Sequence, residues 1–385
     1  MTRRSVCRCL LAAMLVMPWA ISGCAGARRS GSPDHRAGTF GKPAWEAIDA
    51  GRFRVQLTRL ASLGNTGLQL PLASPDGRWV AALSCPNTLA LDPDALLTGR
   101  TINDVTLMLY STAEPQTPPR IVAVGAAWPV WSPDSKRLVA VTYDDSGRCG
   151  LLVHDTSTKQ TRRLKIGLPH IVTPAISPQG QQLALASFAE TTEQARIYIY
   201  DLESGRLTPL LPPQDGIWQI TPMWVSEQAL LYFGRVGGDA GLLGATTDAT
   251  KPHTWLAKAP LPLNAADVLR TQAGIVHPLS PDGRRLAMYD PSANRIVLHN
   301  LEDSHSWPLN PGSQTGCWAQ PAERFVYSAD KQLLVSNPRG ESHVLATSAF
   351  LPLWCESQGR RFVLLTPGQK EWSFDLLRMQ IMPSP

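Results

Sequence analysis

A Ser-Pro-Asp-Gly turn recurs along this chain, each time followed by an alternating apolar run. The fullest copy is Ser280-Pro281-Asp282-Gly283, leading through two arginines to Leu286, Ala287, Met288 and Tyr289. Proline presets φ, the aspartate side chain closes an Asx-turn, and glycine accepts φ > 0, so the four residues specify a tight turn into a strand. Anchoring on the apolar residue six places after the serine gives Ser74-Pro75-Asp76-Gly77 with Val80, Ser132-Pro133-Asp134-Ser135 with Leu138, and Ser177-Pro178-Gln179-Gly180 with Leu183. Three further copies keep the frame without the motif, from Trp224 to Leu231, Trp318 to Phe325 and Trp354 to Phe362. Successive anchors lie 37 to 58 residues apart, the period of propellers and solenoids.

Each copy continues into a second apolar segment ending in a turn, such as Arg196-Ile197-Tyr198-Ile199-Tyr200-Asp201, and then a short polar segment such as Gly205-Arg206-Leu207-Thr208-Pro209-Leu210. Four strands with their loops need about 40 residues, which the spacing supplies. No stretch between anchors carries apolar residues at i, i+3, i+4 and i+7 for three turns, which disfavours a helix in each unit. The expectation is an all-β propeller of four-stranded blades over residues 46–385, seven-bladed, with six or eight as the alternatives. A propeller closes into a ring to abolish exposed edges. The orphan strand-like segment Phe53 to Leu60 is therefore expected to pair with the last blade, beside Trp372 to Leu376 and the tail after it.

Pro129-Val130-Trp131-Ser132-Pro133-Asp134-Ser135-Lys136-Arg137-Leu138-Val139-Ala140 resembles the repeat of TolB-type, WD40-like β-propellers, and the resemblance covers roughly residues 53 to 382. It implies an architecture more than an activity, since similar blades occur in Tol-system proteins, dipeptidyl-peptidase-type enzymes and polysaccharide lyases. The family's namesake carries an N-terminal α/β domain for which the stretch before residue 46 has no room, so its role is not carried over.

Residues 1–23 have the pattern of an export signal: Arg3, Arg4 and Arg8 precede an apolar run from Leu10 to Ile21 that is too short to span a bilayer. The run ends in Ile21-Ser22-Gly23-Cys24, which resembles the lipobox of bacterial lipoproteins and implies acylation at Cys24. Multiple acyl chains there would give lasting membrane attachment. Ala25 follows Cys24, which by the enteric sorting pattern implies the outer membrane, facing the periplasm. Residues 24–45, rich in glycine, serine, arginine and proline, are expected to be a flexible tether. The signal takes three arginines and no acid from a total of 36 basic and 31 acidic residues. What remains carries no electrostatic footprint for nucleic acid.

Four cysteines lie in the propeller: Cys85, Cys149, Cys317 and Cys355. An exported protein meets an oxidising compartment, and four cysteines allow three connectivities. Neighbouring-blade pairing favours Cys85 with Cys149 and Cys317 with Cys355, although inner strands can hold the second pair too far apart.

The long segments, 86–104, 189–194, 211–221, 234–241 and 257–276, fall on the face opposite the Ser-Pro-Asp-Gly turns, and insertions gathered on one face mark a binding face. Residues just before each inner strand ring the channel mouth there: Trp128, Thr173, Thr221 and His277, with Trp218 in a loop beside them. This aromatic, neutral rim suits recognition of a peptide or small apolar group better than acid-base chemistry, which needs paired carboxylates or histidines. No G-x-S-x-G or H-E-x-x-H is present. His154 and His299 recur at one repeat position, which points to structure, and the Asp144-Asp145-Ser146-Gly147 run is explained by a hairpin turn without calcium. These observations imply a non-catalytic envelope lipoprotein that holds a protein or peptide partner, without cofactor or metal, as a monomer or weak self-associate. The alternatives are a lyase or hydrolase, or a small-ligand sensor, using the channel mouth.

Overall fold

The computed structural model describes residues 44–385 except 65, 67–70, 86–103, 144–147, 189–194, 211–216, 237–253, 261–266, 272–274, 291–292, 304, 314, 320–323, 338–339, 369–372 and 385. Their strands form seven four-stranded antiparallel sheets, each ordered from an inner to an outer strand. The first sheet is Leu72–Ala73, Trp79–Ser84, Thr106–Ser111 and Arg120–Val124, and the second is Ala126–Trp131, Arg137–Tyr143, Arg148–Asp155 and Thr161–Pro169. The third comprises Ile171–Ile176, Gln182–Phe188, Ala195–Asp201 and Leu207–Pro209; the fourth Ile217–Ser226, Ala229–Val236, Thr254–Pro260 and Asp267–Thr271. The fifth contains Ile275–Leu279, Arg285–Asp290, Arg295–Asn300 and Ser306–Pro308; the sixth Thr315–Trp318, Phe325–Ala329, Gln332–Ser336 and Ser342–Ala346. Leu351–Cys355, Arg361–Pro367 and Phe374–Pro383 make the seventh, with Phe53–Leu63 as its outer strand.

That outer strand runs antiparallel to the C-terminal one from Phe53 opposite Pro383 to Leu63 opposite Phe374. The first described strand and the last three thus share one sheet, which joins the two ends of the ring in a single blade. Middle strands are buried on both faces, as in Arg137–Tyr143, where every residue after Arg137 is buried. Outer strands such as Arg120–Val124 contain no fully buried residue. This gradient explains the near-continuous apolar runs after each anchor: a blade is covered on both faces by its neighbours, so alternation survives only toward the rim.

The recurrent turn works as its residue types require. In the first sheet Ser74 Oγ donates to Asp76 Oδ1 at 2.6 Å, that carboxylate oxygen accepts the Arg78 N–H at 3.0 Å, and the Trp79 N–H donates to Ser74 Oγ at 3.0 Å. Ser132 with Asp134 and Ser280 with Asp282 repeat the arrangement. Gly77 and Gly283 hold φ of 68° and 73°, and Ser135 takes the same left-handed position at 60°.

Tryptophans and turn glycines stitch neighbouring sheets. Trp131 Nε1 donates to the Leu72 carbonyl at 3.0 Å and Trp224 Nε1 to the Ala175 carbonyl at 3.1 Å, with both rings buried. A Cβ on Gly283 would lie 2.8 Å from the Val225 carbonyl oxygen, which joins fourth and fifth sheets; one on Gly77 would lie 2.5 Å from the Trp354 ring, which joins seventh and first.

Between the sixth and seventh sheets the same role falls to a short helix, Ala44–Asp49. The Trp45 ring covers Gly359, its Nε1 donates to the Ser357 carbonyl at 2.8 Å, and the Arg324 guanidinium stacks 4.9 Å from its centroid. Arg324 also forms a bidentate pair with Asp49 at 2.8 and 2.7 Å. Ala44 and Trp45 were expected in the tether and instead belong to the packed body. Six residues are too few for an independent helix; burial of Ala44 and Ile48 holds it. No helix among the described residues is long and apolar enough to cross a membrane.

Candidate functional site

The rim residues sit where the inner strands depart from regular pairing. Register shifts fall between Ala127 and Val130, Ile171 and Thr173, Ile220 and Met223, Val276 and Leu279, and Pro352 and Trp354. Each contains or adjoins an X-Pro step: Trp128-Pro129, Thr173-Pro174, Thr221-Pro222, His277-Pro278 and Leu351-Pro352. Proline supplies no N–H to the ladder and fixes its own φ, so pairing breaks and the strand bulges. The sixth sheet has Gly316 where Pro129, Pro222 and Pro352 stand relative to the motif tryptophan, and pairs regularly from Thr315 opposite Ser328 to Trp318 opposite Phe325. The prolines were visible in the repeat motif, and their meaning as bulge markers is what motif reading missed.

At two of these bulges the backbone is left-handed. Trp128 has φ of 54° and Thr221 φ of 52°; for a β-branched residue such as Thr221 this is a genuine outlier. Strain of this kind costs about 1–3 kcal/mol per residue and concentrates where side chains must be aimed. Thr221 is buried, and Trp128 is half-buried against the core cluster shared by the first three sheets.

Thr173, Trp218 and His277 lie on the inner strands of the third, fourth and fifth sheets. Their side chains are outside the described residues. Trp218 is thereby corrected from loop to strand, where it pairs with Arg235. The expected loop over 211–221 ends at Ile217, and Asp267–Thr271, read as part of a long connection, is the outer strand of the fourth sheet. Most of 86–104, all of 189–194 and the Asp144 to Gly147 run fall outside the described residues. Gln219, beside Trp218, is a buried polar residue that motif reading missed; its Oε1 accepts the Ile197 N–H at 3.4 Å.

The disulfide expectation is corrected. No disulfide joins Cys85, Cys149, Cys317 and Cys355 to one another. Cys149 is occupied locally: its sulfur accepts the Ile171 N–H at 3.1 Å, and the Tyr143 hydroxyl, pushed well up first by burial and then by Cys149, reaches the Ile171 carbonyl at 3.5 Å. Cys317 and Cys355 are buried in one apolar cluster, and burial pushes both thiols up; Cys355 donates to the Glu356 carbonyl at 3.4 Å. Cys85 is pushed up to about 11 by the same desolvation.

His154 and His299 are structural. Their Nδ1 atoms lie 2.8 Å from Thr161 Oγ1 and 2.7 Å from Ser306 Oγ, each crossing to the outer strand of its own sheet. Burial first, and the Arg120 charge second, lower the His154 pKa. Among the described residues, no group of three or more His, Cys, Asp or Glu is placed to hold a metal ion.

An all-β propeller of four-stranded blades, with a bulged ring at one end of its inner strands, is the class that these features define. No family model matches the chain. A 57-residue stretch is 35% identical to the Tol-Pal system protein TolB of Alcanivorax borkumensis, covering 15% of this chain and 13% of that protein. The fold is similar to an oligogalacturonate lyase in complex with manganese, at 15% identity and TM-score 0.58 over 86% of this chain and 96% of that one. It is also similar to the β-propeller domain of the Trilobed protease from Pyrococcus furiosus, at 12% identity and TM-score 0.53 over 80% and 93%. That domain is described as having an open velcro topology, whereas here Phe53–Leu63 pairs with Phe374–Pro383.

Proposed function

We propose that this protein is a non-catalytic binding scaffold of the bacterial envelope: a seven-bladed TolB-like propeller, anchored by acylation at Cys24 to the outer membrane, holding a protein or peptide on the face where its inner strands begin. The observation that carries this reading is the ring of proline-marked bulges with left-handed Trp128 and Thr221. Backbone strain at equivalent places in different sheets is not needed to close a ring, since the sixth sheet joins it without a bulge. Strain retained beside a channel mouth instead supports a surface shaped for a ligand. Inner-strand ends whose residue types are aromatic and neutral, Trp128, Thr173, Trp218, Thr221 and His277, match an extended peptide or protein loop better than a charged substrate. The TolB relative, named for the Tol-Pal system, is consistent with an envelope assembly role.

The test is photocrosslinking in intact envelopes, with a photoreactive residue at Trp218 or His277. Arg284 serves as control on the opposite face, because Asp282 is needed within its turn. Discrete protein adducts from the two rim positions and none from Arg284 are expected, and Cys24→Ser is expected to release the protein from membranes. No adduct from either rim position would overturn the scaffold reading and direct the search to a small ligand or a lyase reaction in the channel.

A further inference from the structure

On the face that carries the Ser-Pro-Asp-Gly turns, a cavity of about 280 Å³ opens at the seam between the first and seventh sheets. Gly77, Arg78 and Thr112 line it from the first sheet; Trp354, Arg361 and Arg378 line it from the seventh. Three arginines therefore line one cleft. Two have acids of their own. Arg78 Nε lies 3.7 Å from Asp76 Oδ2, and Arg361 holds Glu356 Oε1 through Nη2 at 2.6 Å and Nε at 3.1 Å. Asp76 also lines the cavity, but its Oδ1 is committed to Ser74 and the Arg78 N–H.

Arg378 is different. Its Nη1 reaches only the Thr112 carbonyl, at 3.5 Å, and its Nε is buried with no hydrogen-bond partner. Among the described residues, none of the ion pairs includes it. A guanidinium keeps its proton, and this one is half-buried with an Nε that is shielded from solvent and unbonded, so a counter-charge in the cleft would stabilise it. Its planar fork of donors fits an oxyanion through two parallel hydrogen bonds. The cavity is near the small end of ligand sites, enough for one sugar-sized group.

We propose that this seam binds an oxyanion, a carboxylate or phosphate group on a ligand of about sugar size, with Arg378 as the principal donor and Arg361 and Arg78 completing the positive wall. The bound anion would span first and seventh sheets, so occupancy would also stabilise ring closure by mass action. The site lies on the face opposite the rim, and its test is independent of the scaffold reading.

The experiment is calorimetric titration of the full-length protein at low ionic strength with inorganic phosphate and, separately, with galacturonate as probes. At least one probe is expected to bind with one-to-one stoichiometry and to raise the unfolding temperature. Arg378→Gln is expected to weaken it about tenfold or more, the loss of a hydrogen bond to a charged group. Arg284→Gln, at an exposed arginine of the same face paired with Glu302, should leave it unchanged. If Arg378→Gln does not fold, Arg361→Gln carries the test, since that side chain is largely exposed. Phosphate binding without galacturonate binding assigns a phosphate-bearing ligand, and the reverse assigns a carboxylate. Failure of both probes at millimolar concentration, or equal binding by the folded variants, overturns the proposal.

Discussion

Ring closure at the seam of the first and seventh sheets depends on a glycine meeting a tryptophan, and Gly77→Ala tests it. Gly77 has φ of +68°, and an added Cβ would lie 2.5 Å from Trp354 Cε2 and 2.6 Å from Cδ2. The ring cannot easily retreat, because its Nε1 donates to the Pro75 carbonyl at 2.8 Å. Two effects therefore add: the left-handed conformation costs an alanine about 1–2 kcal/mol, and overpacking against a pinned ring about 1–3 kcal/mol more. Gly167 supplies the matched control, with φ of +73° and nothing within 4 Å of its built Cβ; Gly167→Ala should lose only the first amount, about 1–2 kcal/mol. Urea unfolding of the full chain, followed by tryptophan fluorescence, measures both, provided the m-values agree. In a Trp354→Ala background the extra loss from Gly77→Ala should vanish, giving a coupling energy of about 1–3 kcal/mol in a double-mutant cycle. Equal losses at Gly77 and Gly167, or no coupling to Trp354, would refute the packed seam.

Two further outcomes follow from titration and thiol chemistry. The Ser157 hydroxyl, with the Thr158 and Ser157 amides, holds the Asp155 carboxyl down to about 2. Its stabilising contribution is thus complete above the ordinary aspartate value of about 4 and is lost as pH falls toward the folded value; NMR titration should show Ser157→Ala raising that pKa, and an unchanged value would sink the assignment. Alkylation of the native protein followed by peptide mapping should find Cys85 labelling slowly and Cys149, Cys317 and Cys355 only after unfolding; a crosslinked Cys85–Cys149 or Cys317–Cys355 peptide would contradict free thiols.

The fold was legible because the repeat announces its turns. Ser, Asp and Gly in fixed order leave one local arrangement that satisfies their hydrogen bonds, and each copy appears as read. The third-to-fourth strand corners were readable for the same reason. Asp155, Asp201 and Asn300 each accept backbone N–H groups two or three residues on, which explains why an Asx residue recurs there whatever surrounds it. The fourth sheet is present where the copy from Trp224 to Leu231 places it, but its flanks at Trp218 and Asp267–Thr271 read as loops because no Ser-Pro-Asp-Gly turn frames them. Nothing marked the start of its inner strand, and Trp218 was left in a loop. The helix at Ala44 was invisible for another reason: its stability comes from Gly359, Phe362 and Arg324, some 280 residues or more away in sequence, and six residues show no period. Local chemistry can be read locally, whereas a wedge between two sheets belongs to the ring.

The two faces of the propeller divide the work. On the turn face, glycine and tryptophan spend their geometry on neighbouring sheets, and Trp45 takes the place of a motif tryptophan where the sixth sheet lacks a Ser-Pro-Asp-Gly turn. What stays unsatisfied there is electrostatic: Arg378, half-buried at a seam, in none of the ion pairs among the described residues and with an unbonded Nε. At the opposite end the inner strands give up ladder hydrogen bonds at successive prolines and accept left-handed Trp128 and Thr221. A closed ring removes sheet edges without either feature, and the regular sixth strand shows that the bulge is dispensable for closure. An unpaired guanidinium and a strained rim are therefore separate departures from what the fold needs, one suited to a small anion and the other to an extended partner.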